Sequence, residues 1–504
     1  MFELEIIHNL PFISLLIFFP FFTAFFILFF VNLKNKNTNI IYVKYLAIFS
    51  SILTFVTSFI LFMYFDKEKS GYQFIENYNW ISSIGLSFHV GIDGVSLLLI
   101  FLTTLLFLIA IIASIQSANK FIKEFLVSFL ILESLCIGLF SSLNLLLFFF
   151  FFEATLIPMF LIIGIWGSEK KIYAAFKFFL YTFFGSIFFL TAIIMIYNQG
   201  FGFEIPNLVR ELPKIDHYTQ TICWVCLMIS CAVKIPMIPF HTWLPDAHVQ
   251  APTSGSVILA GILLKIGSYA LIRIILPFFP YISSKYANYI MILSIIAIIY
   301  TSFIALAQTN MKKMIAYSSV AHMGYVTAGI FSMNILGLDG GIFQMLSHGL
   351  ISSGLFLIIG VLYSRIHSKE ISVYGGIAVK MPRFAFLFMI FVLASIGLPG
   401  TSGFVGEFLS LAGVTHYNYI YMIFGAFGVV MGAIYMLGLY KNIMLGVIIN
   451  DKINEVKDVN FVEYITIIPL ALLVIIVGIY PNIILSYINI PLTNLLNHIE
   501  FYHG

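Results

Sequence analysis

The sequence is poor in charge, and this shortage excludes most soluble proteins. Charged residues make up 9% of the 504 residues and hydrophobic residues 61%, whereas soluble domains average about a quarter charged residues. The formal net charge is only +3, so no basic surface for nucleic acid is indicated. The composition places nearly the whole chain in a lipid bilayer.

Cofactor-binding patterns are also missing. The four cysteines, Cys136, Cys223, Cys226 and Cys231, all fall inside apolar runs and lack the spacing that holds an iron–sulfur cluster. The sequence contains no glycine-rich dinucleotide fingerprint and no P-loop. We therefore expect no cofactor and no redox chemistry on this chain.

Long apolar runs are abundant. Because a spanning helix needs about 20 apolar residues, we predict an all-α polytopic membrane protein of about 14 transmembrane helices. The first run, Leu10 to Val31, follows Glu3 and Glu5 and is predicted to be an anchor helix rather than a cleaved signal. The predicted helices start near Phe12, Tyr42, Gly94, Phe125, Leu145, Phe176, Thr219, Thr253, Ala287, Lys313, Gly340, Phe384, Tyr419 and Phe461.

The basic residues predict the orientation of these helices. With the N-terminus outside, most Lys and Arg residues fall in inward loops, as the positive-inside rule requires. Lys312 is assigned to an inward loop and Arg273 to an outward loop. Only Lys234 and Lys265 are then left inside apolar runs.

Two of the apolar runs are interrupted by proline and glycine. The first break covers residues 234–248 and contains Pro236 and Pro239, and the second covers residues 398–403 and contains Pro399. Proline removes a backbone donor, so the carbonyl four residues before Pro236 is expected to lose its helical partner. Interrupted backbone at membrane depth is tolerated where it is buried in protein or lines a wet cavity.

Each break falls in the fourth helix of a set of five, which predicts two inverted five-helix repeats around a transport site. The alternative is a pair of unrelated kinks. The predicted domains are 1–123 with helices 1–3, 124–280 with the first repeat, 281–448 with the second repeat, and 449–504 with the last helix and an outward tail.

The intramembrane lysines are candidates for ion transport. An ammonium at the bilayer centre costs about 2.5 kcal/mol or more and usually faces a partner or a water-filled path. Glu153 lies in a run of phenylalanines and is predicted to pair with Lys234, either as a switch or as a static ion pair. Lys265 is predicted to carry protons, and a purely structural role is the alternative.

His322, His348 and Glu407 complete the set of candidates. Histidine titrates near neutrality and relays protons well, although each histidine has a packing role as its alternative. Glu407 follows the second break and is predicted to release protons outward, unless it is only an exposed charge at a helix end. Together these groups predict a row that conducts protons along the membrane plane.

Five further polar residues carry weaker predictions. Glu133 lies inside an apolar run, and its role stays open. His241, Asp246 and His248 flank the first break and either gate water or hydrogen-bond loose backbone. Asp93 precedes a helix and is expected to cap it.

Several strings resemble the antiporter-like subunits of respiratory complex I, and the resemblance runs from about residue 1 to 480. The M-type branch of that family has a glutamate on its second broken helix, where the L- and N-types and the Mrp antiporters have lysine. The matching strings are Gly91-Ile-Asp93-Gly-Val-Ser96, Phe152-Glu153-Ala-Thr-Leu-Ile-Pro158, Lys234-Ile-Pro236-Met-Ile-Pro239-Phe-His241-Thr-Trp243-Leu-Pro245-Asp246-Ala-His248 and Gly403-Phe-Val-Gly406-Glu407.

The resemblance implies a proton-translocating subunit of an NADH–quinone oxidoreductase. It implies a coupling pair of Glu153 and Lys234, a central carrier Lys265 with His322 alongside, and an exit-side carrier Glu407. NADH, FMN, iron–sulfur clusters and quinone are expected in partner subunits, among them neighbouring antiporter-like subunits and the lateral helix of the L-type subunit. The expected location is a bacterial inner membrane, with the mitochondrial inner membrane as the alternative. An Mrp-type antiporter subunit or a subunit of an energy-converting hydrogenase is the alternative function.

Overall fold

The computed structural model describes residues 10–31, 36–81, 83, 85–117 and 121–503. Glu3 and Glu5, and parts of the predicted domain 1–123, lie outside that part. The first half of the chain forms α1 (Phe12–Phe30), α2 (Lys36–Tyr64), β1 (Gln73–Ile81), β2 (Leu86–Ile92), α3 (Gly94–Ser117), α4 (Ile122–Ser141), α5 (Leu145–Ala154), α6 (Leu156–Trp166), α7 (Lys171–Tyr197), α8 (Ile205–Glu211), α9 (His217–Lys234) and α10 (Trp243–Gln250).

The second half continues almost entirely as helix. Its elements are α11 (Thr253–Phe278), α12 (Pro280–Leu306), α13 (Met311–Phe331), α14 (Ile335–Ile366), α15 (Ile377–Lys380), α16 (Pro382–Ser395), α17 (Ser402–Tyr417), α18 (Tyr419–Met444), α19 (Phe461–Ile479) and α20 (Asn482–His503). Two π-helical turns, Leu259–Leu263 and Leu271–Ile275, lie within α11.

The all-α polytopic membrane fold is confirmed. Among the described helices, 11 are long and apolar enough to cross a membrane. The other three predicted segments correspond to α9, α13 and the interrupted pair of α16 and α17, which are shorter or carry more polar residues. The count of 14 and the two inverted repeats stay predictions.

Asparagine side chains start three of the helices that carry candidate residues, those of Glu153, His322 and His348. Asn144 accepts from the backbone N–H groups of Leu146 and Leu147 at the start of α5. Asn310 and Asn334 cap α13 and α14 in the same way. Such a cap satisfies donors that have no partner within the helix, so it fixes where these helices begin.

The first interruption lies between α9 and α10. Lys234 is the last residue of α9, and the backbone N–H of Met237 donates to the Ala232 carbonyl at 2.8 Å. The carbonyl that loses its partner to Pro236 is therefore satisfied by the next residue. The Trp243 indole donates to the Val233 carbonyl at 3.0 Å, so side chain and backbone together hold the break.

The face that is predicted to lie outward carries two elements that the sequence analysis treated as loop and tail. Strands β1 and β2 form an antiparallel hairpin with Asn77 opposite His89. Helix α20 lies close to the start of α3, where a Cβ on Gly94 would be 1.8 Å from the Tyr487 carbonyl. Only glycine at position 94 permits this approach.

Lys265 and His348 lie on the two most buried of the candidate spans, α11 and α14. In α11 and α14, 94% of the spanning stretch is buried, compared with 33% in α1 and α19. Protein therefore surrounds α11 and α14, while α1 and α19 lie at the periphery of the bundle. This position separates the charges on α11 and α14 from lipid.

Candidate proton-transfer site

Lys265 and His348 are in direct contact at the centre of the molecule. The Lys265 ammonium lies 2.7 Å from His348 Nδ1 and donates to the Ala260 carbonyl at 2.5 Å. The lysine is fully buried, and His348 is 3% exposed. The structure therefore brings two of the predicted residues together although they are far apart in sequence.

Small residues allow this contact. A Cβ on Gly261 of α11 would lie 2.7 Å from Ser353 Oγ, and a Cβ on Gly349 of α14 would lie 3.1 Å from the Gly261 carbonyl. Helices inside a membrane approach closely where their facing residues are small. The π-helical turn before Lys265 also frees backbone carbonyls, and the ammonium takes the one on Ala260.

His322 and Glu407 form a second contact. His322 Nδ1 lies 2.8 Å from Glu407 Oε1, and the Gln344 amide donates to the same oxygen at 3.4 Å. Ser395 Oγ lies 3.4 Å from His322 Nε2. Glu407 is 4% exposed, so the alternative of an exposed charge at a helix end does not describe it.

A small cavity joins these two contacts. The rings of His322 and His348 are 5.8 Å apart, centroid to centroid. The cavity between them is also lined by Glu407, Ser318 and Ser352. The centre of a water molecule can occupy about 10 Å³ of it. This is roughly the room for one water molecule, which would make the path from Lys265 to Glu407 continuous.

Lys234 and Glu153 are not in direct contact. The Lys234 ammonium lies 3.5 Å from the Phe152 carbonyl and 4.4 Å above the Phe152 ring. Within the described part of the chain, no ion pair of 4.0 Å or less joins it to Glu153. Glu153 Oε2 is buried there without a hydrogen-bond partner. The predicted coupling pair is therefore separated in this structure.

Lys234 and Lys265 have no hydrogen-bond partner in common. Among the described residues, Lys234 binds the Phe152 carbonyl, whereas Lys265 binds the Ala260 carbonyl and His348, although their helices pack closely. A Cβ on Gly267 would lie 2.6 Å from Ile235 Cγ1 and 2.9 Å from the Cys231 carbonyl. Within the described residues, the row thus lacks a direct contact between Lys234 and Lys265 as well as between Glu153 and Lys234.

Of two basic residues that the sequence analysis assigned to loops, Lys312 is buried and Arg273 is largely buried, with 12% of its side chain exposed. Lys312 is 3% exposed and donates to the Ala251 carbonyl at 2.8 Å, at the end of α10. Arg273 pairs with Asp93 at 2.8 Å. The available signal for Arg273 was its position, eight residues or about two helical turns after Lys265 in the same apolar run.

The weaker candidates have individual surroundings. Asp93 does cap α3, accepting from the Ser96 backbone at 3.0 Å. Glu133 is fully buried and accepts from the Thr54 hydroxyl at 2.7 Å. The His248 ring stacks on Phe356 at 4.5 Å, and neither of its nitrogens has a hydrogen-bond partner in the described regions.

The other residues beside the first break are held separately. Asp246 pairs with Lys177 at 2.6 Å, and His241 is 7% exposed. The four cysteines are buried and unpaired. Across residues 10–503, apart from the gaps given above, no group of three or more His, Cys, Asp or Glu side chains could hold a metal ion.

Comparisons with known proteins give one consistent result. Residues 142–432 match the family described as NADH:quinone oxidoreductase/Mrp antiporter, TM. The chain is 55% identical to NADH-quinone oxidoreductase subunit M of Rickettsia conorii over 97% of this chain and 99% of the relative. It is 46% identical to subunit M of Rhodobacter capsulatus over 92% and 91% of the two chains.

A solved structure agrees with the sequence matches. One chain of respiratory complex I from Thermus thermophilus with bound NADH superposes with a TM-score of 0.86. The two chains are 26% identical, and the match covers 98% of this chain and 100% of that one.

Proposed function

This chain belongs to the NADH:quinone oxidoreductase/Mrp antiporter family, in its subunit M branch, and we propose that it moves protons through Lys265, His348, His322 and Glu407. The resemblance read from the sequence is thereby confirmed. The chain is a multi-pass membrane subunit of NADH–quinone oxidoreductase. The path of the protons within it is the proposal.

The contact series from Lys265 to Glu407 carries this proposal. Lys265 Nζ gives a proton to His348 Nδ1, while His348 Nε2 faces the cavity side of the ring. One water in the cavity passes a proton on to His322, and His322 Nδ1 gives one to Glu407 Oε1. Imidazole has two nitrogens that can each donate or accept, so each histidine takes a proton on one side and releases it on the other.

Lys234 acts as the switch at the start of the path. A single carbonyl at 3.5 Å and a ring face are its described contacts, so its charge depends on what approaches it. We propose that the Glu153 carboxylate holds the proton on Lys234 when it is near and releases it when it is distant. The released proton then moves to Lys265.

The driving force comes from outside the chain. Moving one charge against 100 mV takes about 2.3 kcal/mol, and quinone reduction in partner subunits supplies it. Those partners hold NADH, FMN, iron–sulfur clusters and quinone, and neighbouring antiporter-like subunits and the lateral helix of the L-type subunit flank this chain. The membrane is the bacterial inner membrane.

The test uses the whole complex reconstituted in liposomes, with Glu407→Ala. We expect NADH oxidation to continue and the pH gradient that it forms to fall by about 100-fold, since positioned proton transfer contributes factors of this size. Asp339→Asn is the matched control, because this half-buried acid on α14 takes no part in the contact series. Full proton pumping by the Glu407→Ala complex would reject the proposal.

A further inference from the structure

A cluster of four side chains lies between Lys265 and the outward face. Arg273 donates to Asp93 at 2.8 Å, to the Tyr72 hydroxyl at 2.9 Å and to the Tyr269 hydroxyl at 3.2 Å. The Tyr269 hydroxyl donates in turn to the Phe140 carbonyl at 2.8 Å. The proposed proton path uses none of these groups.

The cluster forms the floor of a large outward cavity. The centres of water molecules can occupy about 280 Å³ of this cavity, which is room for several waters. Its lining includes Tyr72, Asp93, Tyr269 and Arg273. Helix α20 contributes His498 to the wall. Water on the outward face can therefore fill the cavity down to this floor, where Tyr269 is 1% exposed.

Lys265 lies just below this floor. Tyr269 follows it by four residues, a distance of about 6 Å along the helix, and lies on the same face. A proton on Lys265 is thus about one helical turn from outward water. A leak at this point would discharge the gradient without passing His348, His322 or Glu407.

The chemistry of the cluster suits a barrier. A guanidinium does not give up its proton in proteins, and a fixed arginine repels protons and other cations in a pore. The two tyrosine rings also lie 4.9 and 5.5 Å from the guanidinium carbon. The hydrogen bonds that Arg273 donates to Asp93 and the tyrosines therefore hold the positive charge in one place.

We propose that Asp93, Arg273, Tyr72 and Tyr269 form an outward seal that prevents protons on Lys265 from leaking through the α11 face. The seal rests on the proposed function, since it matters only where Lys265 carries protons. Asp93 and the tyrosines act as positioning residues for Arg273. The Lys265 ammonium agrees with this arrangement, because both of its described hydrogen bonds go to Ala260 and His348, away from the cluster.

The test measures passive proton leakage in liposomes that contain the whole complex, with an imposed pH gradient and no NADH. We expect Asp93→Asn/Arg273→Gln to raise leakage per assembled complex severalfold. The matched control is Arg365→Gln/Glu463→Gln, which removes an ion pair of the same length, 2.8 Å, and similar burial at the inward face. A merely structural role would change the yield of complex without changing leakage per complex.

Each result decides the proposal. If the Asp93→Asn/Arg273→Gln complex leaks no more than the parent complex, the seal is rejected. If its leakage is unchanged and its pumping is reduced, the cluster conducts protons instead. If the double variant does not assemble, Tyr269→Phe decides in the same assay, because it removes only the hydroxyl that joins Arg273 to Phe140. Unchanged leakage in a variant of the cluster rejects only the seal. Full pumping by the Glu407→Ala complex rejects the proposed function.

Discussion

The two interrupted helices hold their charged groups in opposite ways. At the first break, the Lys234 ammonium has one distant carbonyl and the face of the Phe152 ring. At the second, Glu407 is bound by His322 at 2.8 Å and by Gln344 at 3.4 Å. A group held by a short hydrogen bond, as Glu407 is by His322, suits rapid transfer along a fixed path, whereas a weakly held charge suits a switch.

Local backbone explains the difference. At the first break, the carbonyls of Ala232 and Val233 are bonded to Met237 and Trp243, so little is left for Lys234 to bind. At the second break, Gly397 has a φ of +73°, and a Cβ there would lie 3.1 Å from Glu407 Oε2. The glycine turn leaves room for the carboxylate to reach His322.

The largest expected effect comes from Lys265→Met, which disconnects the path that ends at Glu407. Methionine fills the buried space without a proton, so we expect the pumping rate in liposomes to fall by about 100-fold. Lys312→Met is the control, since Lys312 is also buried but binds the end of α10. An equal loss in both variants would show that any buried lysine matters and would remove the special role of the contact with His348.

The second prediction tests whether Lys234 must release its proton. Lys234→Arg keeps the positive charge, but a guanidinium stays protonated. If Lys234 is a switch, the pumping rate should fall by about tenfold or more, within the range of positioned proton transfer. Normal pumping in this variant would show that Lys234 acts as a fixed charge. The contrast between a switch at the first break and a fixed path at the second would then be lost.

A smaller loss is expected for Glu153→Gln. The carboxylate acts on Lys234 through space in this structure, so its removal should slow pumping severalfold without abolishing it. Glu133→Gln provides the control, because that acid is fully buried and is held by Thr54, whereas Glu153 is partly buried and its Oε2 has no hydrogen-bond partner in the described residues. Equal rates in the two variants would contradict a specific interaction between Glu153 and Lys234.

The residues of the path could be predicted from the sequence, whereas most of their contacts could not. Lysine, histidine and glutamate inside apolar runs are rare enough to be noticed singly. The contact between Lys265 and His348 depends on the glycines that let α11 and α14 approach, and no spacing rule gives that pairing. Arg273 was assigned to a loop because it lies near a helix end, and its burial depends on a hairpin and a C-terminal helix that polar sequence patterns did not reveal.

The smallest expected effect concerns Glu204, which links the β1–β2 hairpin to Asn144 at the start of α5. Glu204 accepts from Ser87 at 2.6 Å and from Asn144 at 3.1 Å, and it also pairs with His89. Burial alone would raise the pKa of Glu204, but the hydrogen bonds from His89, Ser87 and Asn144 outweigh it and lower the pKa below its ordinary value. Asn144 caps α5, the helix that carries Glu153.

The sign of the pH dependence follows from this lowered pKa. The anchoring stabilises the hairpin above the ordinary glutamate pKa of about 4.3 and is lost as the pH falls through the lower pKa of the folded state. The protection factors of the β1 and β2 amides against hydrogen exchange, which are corrected for the intrinsic pH dependence of exchange, should therefore fall on acidification, and Glu204→Gln should weaken that dependence. Glu211→Gln is the control, since Glu211 pairs only with the exposed Lys214 among its described contacts. If both variants keep the dependence of the parent, Glu204 does not anchor the hairpin, and the position of α5 relies on its asparagine cap alone.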